Sequence, residues 1–132
     1  MTAVTISLPW PPSELSPNGP HGHWAKRAKA KKAYRNACFI TTREQRQNCP
    51  PGKSFDVLLT FVPPDRRRYD RDNLVARMKS GLDGLAQAWL IDDRLFVRVA
   101  GEIAEARQPA RGAAEVLVTV SEHYRPPITV DL

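Results

Sequence analysis

The sequence predicts a small α/β (α+β) domain, a mixed β-sheet with two main helices in the order β-α-β-α-β-β. Three observations predict it. Segments with apolar and polar residues alternating at period two recur along the chain. Two long proline-free stretches with helical spacing lie between them. Prolines cluster where segments end.

The first strand is residues 3–8, where Val4, Ile6 and Leu8 alternate with Thr5 and Ser7. Pro9, Pro11 and Pro12 end it, because proline has no N–H for the ladder. Residues 13–22 are rich in Pro, Gly, Ser and Asn and read as a loop. Residues 23–47 form a long basic helix rich in Ala, Lys and Arg. Trp24, Ala28, Arg35 and Phe39 fall at helical spacing there, with Tyr34 and Cys38 beside them. Trp24 and Tyr34 are expected in the core rather than as base-stacking platforms. Pro50, Pro51 and Gly52 stop the helix. Residues 55–62 are a second strand, ended by Pro63 and Pro64. Residues 74–90 are a second helix with one apolar stripe, Leu74, Met78, Leu82, Leu85 and Trp89. Asp72 or Asn73 suits its N-cap. Residues 96–106 and 114–122 are two further strands, with 108–112 joining them as a hairpin loop. Residues 124–132 read as a tail.

At 132 residues the chain is read as one domain spanning 1–132. Hydrophobic residues make up 42%, so a core is expected, and no apolar run approaches the ~20 residues of a membrane span. The N-terminus lacks a basic region followed by an apolar one, which argues for a cytoplasmic protein without membrane association. Cys38 and Cys49 make no disulfide framework and are expected as unreactive thiols. His21 and His23 read as a solvated or DNA-facing pair before a metal pair. The net charge is +6, and the basic residues concentrate between positions 23 and 79 while acidic ones crowd the last third. A localised positive field favours a polyanionic partner, nucleic acid first.

The segment from Asp70-Arg71-Asp72-Asn73 to Asp92-Asp93 carries the chemistry. In extended chain Asp70 and Asp72 point the same way and can share a cation. Mg²⁺ takes oxygen ligands, commonly one or two carboxylates with water and phosphate. Arg66, Arg67, Arg68 and Arg71 would draw in a phosphate backbone. At 100° per residue Asp72, Lys79 and Asp83 fall within about 20° of one helix stripe. A straight helix of roughly 18 residues is about 27 Å long, too long for Asp70, Asp72 and Asp93 to reach one ion. Either the chain bends back after Leu90 or a partner subunit contributes. The structural alternative treats Asp72 and Asn73 as caps, Lys79 and Asp83 as a surface pair, and Asp92-Asp93 as a turn.

Together these elements resemble the RusA-type Holliday-junction resolvases, the crossover junction endodeoxyribonuclease RusA family. The resemblance runs over about residues 4–122. It rests on Leu8-Pro9-Trp10-Pro11-Pro12-Ser13, Ser16-Pro17-Asn18, His23-Trp24, Tyr34-Arg35, Pro64-Asp65-Arg66-Arg67-Arg68, Asp70-Arg71-Asp72-Asn73-Leu74, Leu82-Asp83-Gly84-Leu85 and Asp92-Asp93. It implies a Mg²⁺-dependent homodimer that binds four-way DNA junctions and resolves them by paired symmetric nicks during recombination and repair. It implies Asp70, Asp72 and Asp93 as metal-binding catalytic carboxylates and Lys79 as the catalytic lysine. Asn73, Arg66, Arg67, Arg68 and Arg71 are implied as DNA contacts, and Lys26, Arg27, Lys31 and Arg35 on the basic helix are expected to join them. One departure concerns the lysine. The family's lysine follows the motif asparagine by three residues, where this chain has Ala76. Lys79 aligns through Leu82-Asp83-Gly84-Leu85, and Arg77 is the substitute candidate. The loop of residues 18–22 also lacks an arginine that the family would lead one to expect there. The alternatives to a junction nuclease are a non-catalytic DNA-binding module and a nuclease for flaps or forks.

Overall fold

The computed structural model describes residues 2–17, 24–105 and 114–124. The loop carrying His21 and His23, the expected link at 108–112 and the tail beyond Tyr124 lie outside them.

Four strands form one mixed sheet: β1 (Ala3–Pro9), β2 (Phe55–Val62), β3 (Phe96–Ile103) and β4 (Glu115–Glu122). Their spatial order is β1-β4-β2-β3. β4 runs antiparallel to both β1 and β2, while β3 runs parallel to β2. The expected hairpin of the third and fourth strands is therefore absent. β4 lies centrally because its inward residues Val116, Val118 and Val120 are all fully buried. β3, with Arg98, Gly101 and Glu102, is mostly exposed and takes the edge. It also ends at Ile103, short of the expected 106.

Ile6, Leu8, Val57, Leu59 and Phe61 join the β4 valines on one face of the sheet. The helices cover that face. α1 (Trp24–Gln45) buries Tyr34, Cys38 and Thr42, an i, i+4, i+8 stripe. Tyr34 donates its hydroxyl to Pro9 O at 2.6 Å, tying the helix to the end of β1. The expectation that Trp24 is core fails: it is 80% exposed, at the first residue of α1, where at 100° per residue the ten residues to Tyr34 set it about 80° round the helix from that residue. Burial pushes the Cys38 thiol up to about 12, so it stays protonated and unreactive at neutral pH.

The second expected helix is two: α2 (Arg71–Arg77) and α3 (Lys79–Ala88). They meet at Met78, whose N–H bonds Val75 O at 3.0 Å, an i−3 step that breaks the regular ladder. The break lets each helix meet a different surface. α2 lies over β3, where Gly101 faces Val75 and Arg71; a Cβ there would be 2.5 Å from the Val75 side chain. α3 packs on α1, and Gly84 makes the approach possible, since a Cβ there would fall 2.3 Å from Arg35 O. Leu74, Met78, Leu82 and Leu85 are buried as the stripe predicts. Among the described residues no helix is long and apolar enough to cross a membrane.

Candidate functional site

β2 and β3 are parallel and joined through α2 and α3, so their carboxyl ends open on one side. Ligands of α/β units commonly bind there. α2 starts on that side. Its N-cap is Asp70, not Asp72 or Asn73: Asp70 is extended (φ −85°, ψ 117°) and its Oδ1 accepts the Asn73 N–H at 3.1 Å. Asp70, Arg71, Asp72, Glu102 and Ile103 line an open hollow of about 510 Å³. A second hollow of about 470 Å³, with Asp65, Arg66, Arg67 and Glu105, shares Ile103 with it.

The first hollow holds carboxylates that stay available. The Asp72 side chain is 93% exposed, and Arg71 approaches it only to 3.9 Å. An ion pair so open to water contributes little. Glu102 accepts a hydrogen bond from the Thr60 hydroxyl at 3.0 Å, through Oε1. Sequence reading missed Glu102 because no local motif marks it; the sheet brings it beside residues some thirty positions earlier.

The expected DNA contacts divide. Arg66 and Arg68 are exposed and make no ion pair among the described residues. Arg67 is held locally by Asp65, at 3.2 Å, and lies 5.6 Å from the centre of the Tyr69 ring. The Arg67 N–H, the Tyr69 hydroxyl and the Arg67 guanidinium in turn hold the Asp65 carboxyl below the usual range. Asn73 is a structural tie. Its amide donates to Ser16 Oγ at 2.8 Å, and its carbonyl accepts from Arg77 Nε at 3.0 Å. Lys26, Lys31 and Arg35 are exposed on α1, and Arg27 is half-buried.

Asp93 and Lys79 belong to a different group. After α3 the chain does reverse: Leu90 takes φ 58°, and Ile91 N–H bonds Ala86 O at 3.0 Å. The reversal carries Asp93 to Asp83. Partial burial raises the Asp83 pKa, and the neighbouring Asp93 carboxyl raises it further; Lys79 and Arg35 act against both. Beside them Asp92 caps a 3-10 turn at Asp93–Leu95, and Arg94 holds its pKa down at about 2. This group precedes Phe96, whereas Glu102 lies near the far end of the same strand. At ~3.3 Å per residue, those ends are about 20 Å apart.

Thus the single chain brings Asp70 and Asp72 together with Glu102, and Asp93 and Lys79 together with Asp83. It does not unite Asp70, Asp72 and Asp93. Among the described residues no three His, Cys, Asp or Glu side chains are placed to hold one metal ion. The Asp70–Asp72 hollow still fits a hard cation of the Mg²⁺ kind, which takes one or two carboxylates and fills its shell with water and phosphate oxygen. Asp70 Oδ2 and both Asp72 oxygens supply that oxygen chemistry, since only Asp70 Oδ1 is committed to the cap.

No model of a known protein family matches the chain. A protein of Xylella fastidiosa (strain Temecula1), described as uncharacterized, is 36% identical over 120 residues, covering 89% of this chain and 75% of the relative. The chain belongs to one family with that protein.

Proposed function

We propose that this protein is a metal-dependent endodeoxyribonuclease of the RusA type, cutting four-way DNA junctions in recombination and repair. The observation that carries the reading is the hollow at the carboxyl ends of β2 and β3, where Asp70, Asp72 and Glu102 stand beside Arg71. Phosphodiester hydrolysis needs a site that tolerates an anion next to carboxylates. The adjoining arginines answer the first need, with Arg66 and Arg68 uncommitted to any ion pair among the described residues. The carboxylates answer the second by holding Mg²⁺ through Asp70 and Asp72. When bound, the ion lowers the pKa of a water and offsets charge on the phosphate. The chain's own contribution is to fix Asp70 through its cap bond from Asn73 N–H, and to hold that helix end through Asn73 and Ser16. A cytoplasmic location agrees with a DNA substrate.

The test is cleavage of a synthetic four-way junction in Mg²⁺, with linear duplex, flap and fork competitors. Wild-type protein is expected to nick the junction in preference, and Asp72→Asn to lose the activity. No product from wild type, or equal product from Asp72→Asn, overturns the reading.

The distance of Asp93 from the hollow favours a second reading, a DNA-binding module without catalysis. In that case Asp70→Asn and Asp72→Asn leave affinity unchanged or raise it, and binding weakens steeply with salt.

A further inference from the structure

α1 carries basic residues on two opposed sides. Lys31 and Arg35 share one, and Arg35 acts on the Asp83 carboxyl of α3. At 100° per residue, Lys26 and Lys29 lie about 120–180° round the helix from them. A duplex laid on Lys31 and Arg35 does not reach this second pair. What Lys26 and Lys29 border is an apolar groove of about 460 Å³. That is room for a bulky side chain and its neighbours.

The groove lies between α1 and the chain that leaves β1. On the α1 side its wall is Ala30, Ala33 and Ala37, side chains too short to fill it. On the other side stand Pro9 and Pro12, ahead of a 3-10 turn at Ser13–Leu15. Alanine favours a helix wherever it falls, so the three alanines alone would mean nothing. The prolines across from them make the groove. Tyr34 bridges the two walls, donating its hydroxyl to Pro9 O at 2.6 Å.

The polar groups of this lining are already bonded. The Tyr34 hydroxyl and Pro9 O hold each other, and Pro12 O accepts the Leu15 N–H at 3.1 Å. The prolines have no N–H, and the alanine backbone is bonded within the helix. A base edge is read through hydrogen bonds, and a stacked base needs an open ring face. Neither is on offer, since Tyr34 is only 5% exposed. An apolar side chain fits instead, and the rim sets the charge around it. Lys26 and Lys29 are exposed and make no ion pair among the described residues. α1 carries no acidic residue before Glu44 to offset them. Glu14, on the proline side, is the acidic member of the rim.

We propose that this groove docks an acidic segment of a partner protein, with a bulky apolar side chain against the prolines and alanines and flanking carboxylates on Lys26 and Lys29. Lys26, expected among the DNA contacts, is thereby given to a protein partner. The groove and its rim stand whether or not the Asp70–Asp72 hollow is a nuclease site.

Fluorescence anisotropy on the full chain tests this with a labelled peptide, Glu-Asp-Glu-Phe-Asp-Glu. The peptide is expected to bind, and to bind about tenfold more weakly when Ser replaces its Phe or Lys replaces its acidic residues. Ala33→Phe fills the groove from an exposed helix position, and Lys26→Glu with Lys29→Glu reverses the rim. Each is expected to weaken binding about tenfold, with an unchanged melting curve. Glu14→Lys removes the opposing charge and is expected to tighten binding about threefold, an effect that lost folding cannot produce. If Ala33→Phe does not fold, Glu14→Lys decides. No binding of the Phe peptide overturns the proposal. Equal binding of the Ser peptide, wild-type affinity in a folded Ala33→Phe, or no tightening in Glu14→Lys does the same. If a four-way DNA junction displaces the peptide and Ala33→Phe loses DNA affinity by the same factor, the groove belongs to a nucleic-acid surface and the peptide assignment falls.

Discussion

The two acidic groups at opposite ends of β3 are built on opposite principles. Asp70 and Asp72 stand apart in water at a helix start, one of them holding the cap. Asp83 and Asp93 stand against each other, with Lys79 and Arg35 nearby. The first group offers its carboxylate oxygens outward to solvent. The second has its charges turned on one another, and nearby cations offset the repulsion. Residue type alone does not separate them; spacing to the nearest like charge does.

The largest expected effect breaks this comparison most directly. Asp72→Asn is expected to lower junction nicking by about 10³-fold, or roughly 4 kcal/mol, as removing one key electrostatic group from a reaction centre does. Asp83→Asn is expected to change it by a few-fold at most. Equal losses from the two variants, measured as initial nicking rates, would mean that the groups act as one site.

Next is the helix crossing that holds the second group. Gly84→Ala puts a methyl 2.3 Å from Arg35 O, and backbone cannot move aside as a side chain can. The expected cost is about 3 kcal/mol. It is read as a fall in the urea midpoint, with the Asp83–Asp93 contact loosened.

These two regions also show what the sequence made legible. The period-two runs of β1, β2 and β4 and the stripe from Leu74 to Leu85 appear where expected, because burial on one face leaves a periodic mark. Strand order leaves no such mark. Neighbours in sequence suggest a hairpin, and only the contrast between the valines of β4 and the Arg98, Gly101 and Glu102 of β3 hints at centre and edge. The break at Met78 carries neither Pro nor Gly; its trace is the Gly81–Gly84 spacing that lets α3 turn onto α1. The length argument about Asp93 was legible, and so were its two resolutions. The chain does bend back, but it stops at Asp83. Glu102 was not legible, because it reaches the hollow through sheet pairing.

A smaller effect sharpens the comparison through pH. The Asp83 pKa is raised above the ordinary 3.8, so ionising it costs the native state stability. Stability from this residue falls as pH rises from about 3.8 through the raised value. Asp83→Asn removes that loss. The variant is expected to be more stable at pH 7 by at most ~1 kcal/mol, discounted for exposure, or about 3 °C in Tm. The gain should vanish below pH 3.8, where the wild-type carboxyl is protonated in both states. A variant less stable than wild type at pH 7 would show that Lys79 and Arg35 outweigh the repulsion.

The smallest effect lies one residue from Asp93 and has the opposite sign. Asp92 has its pKa lowered from 3.8 to about 2, first by the Arg94 side chain and then by its backbone N–H. Its contribution to stability is present above pH 3.8 and is lost as pH falls toward 2. Carboxyl NMR titration is expected to place Asp92 near that value and Asp83 above its ordinary one. In Arg94→Ala the Asp92 midpoint should rise toward 3.8 while Asp83 stays in place, since Arg94 is not among the groups that shift Asp83. Asp93 touches both residues, so this variant asks whether it couples them. If Asp83 moves together with Asp92, the turn and α3 titrate as one unit, and the acidic group before β3 behaves as a single cluster rather than as two separate pairs.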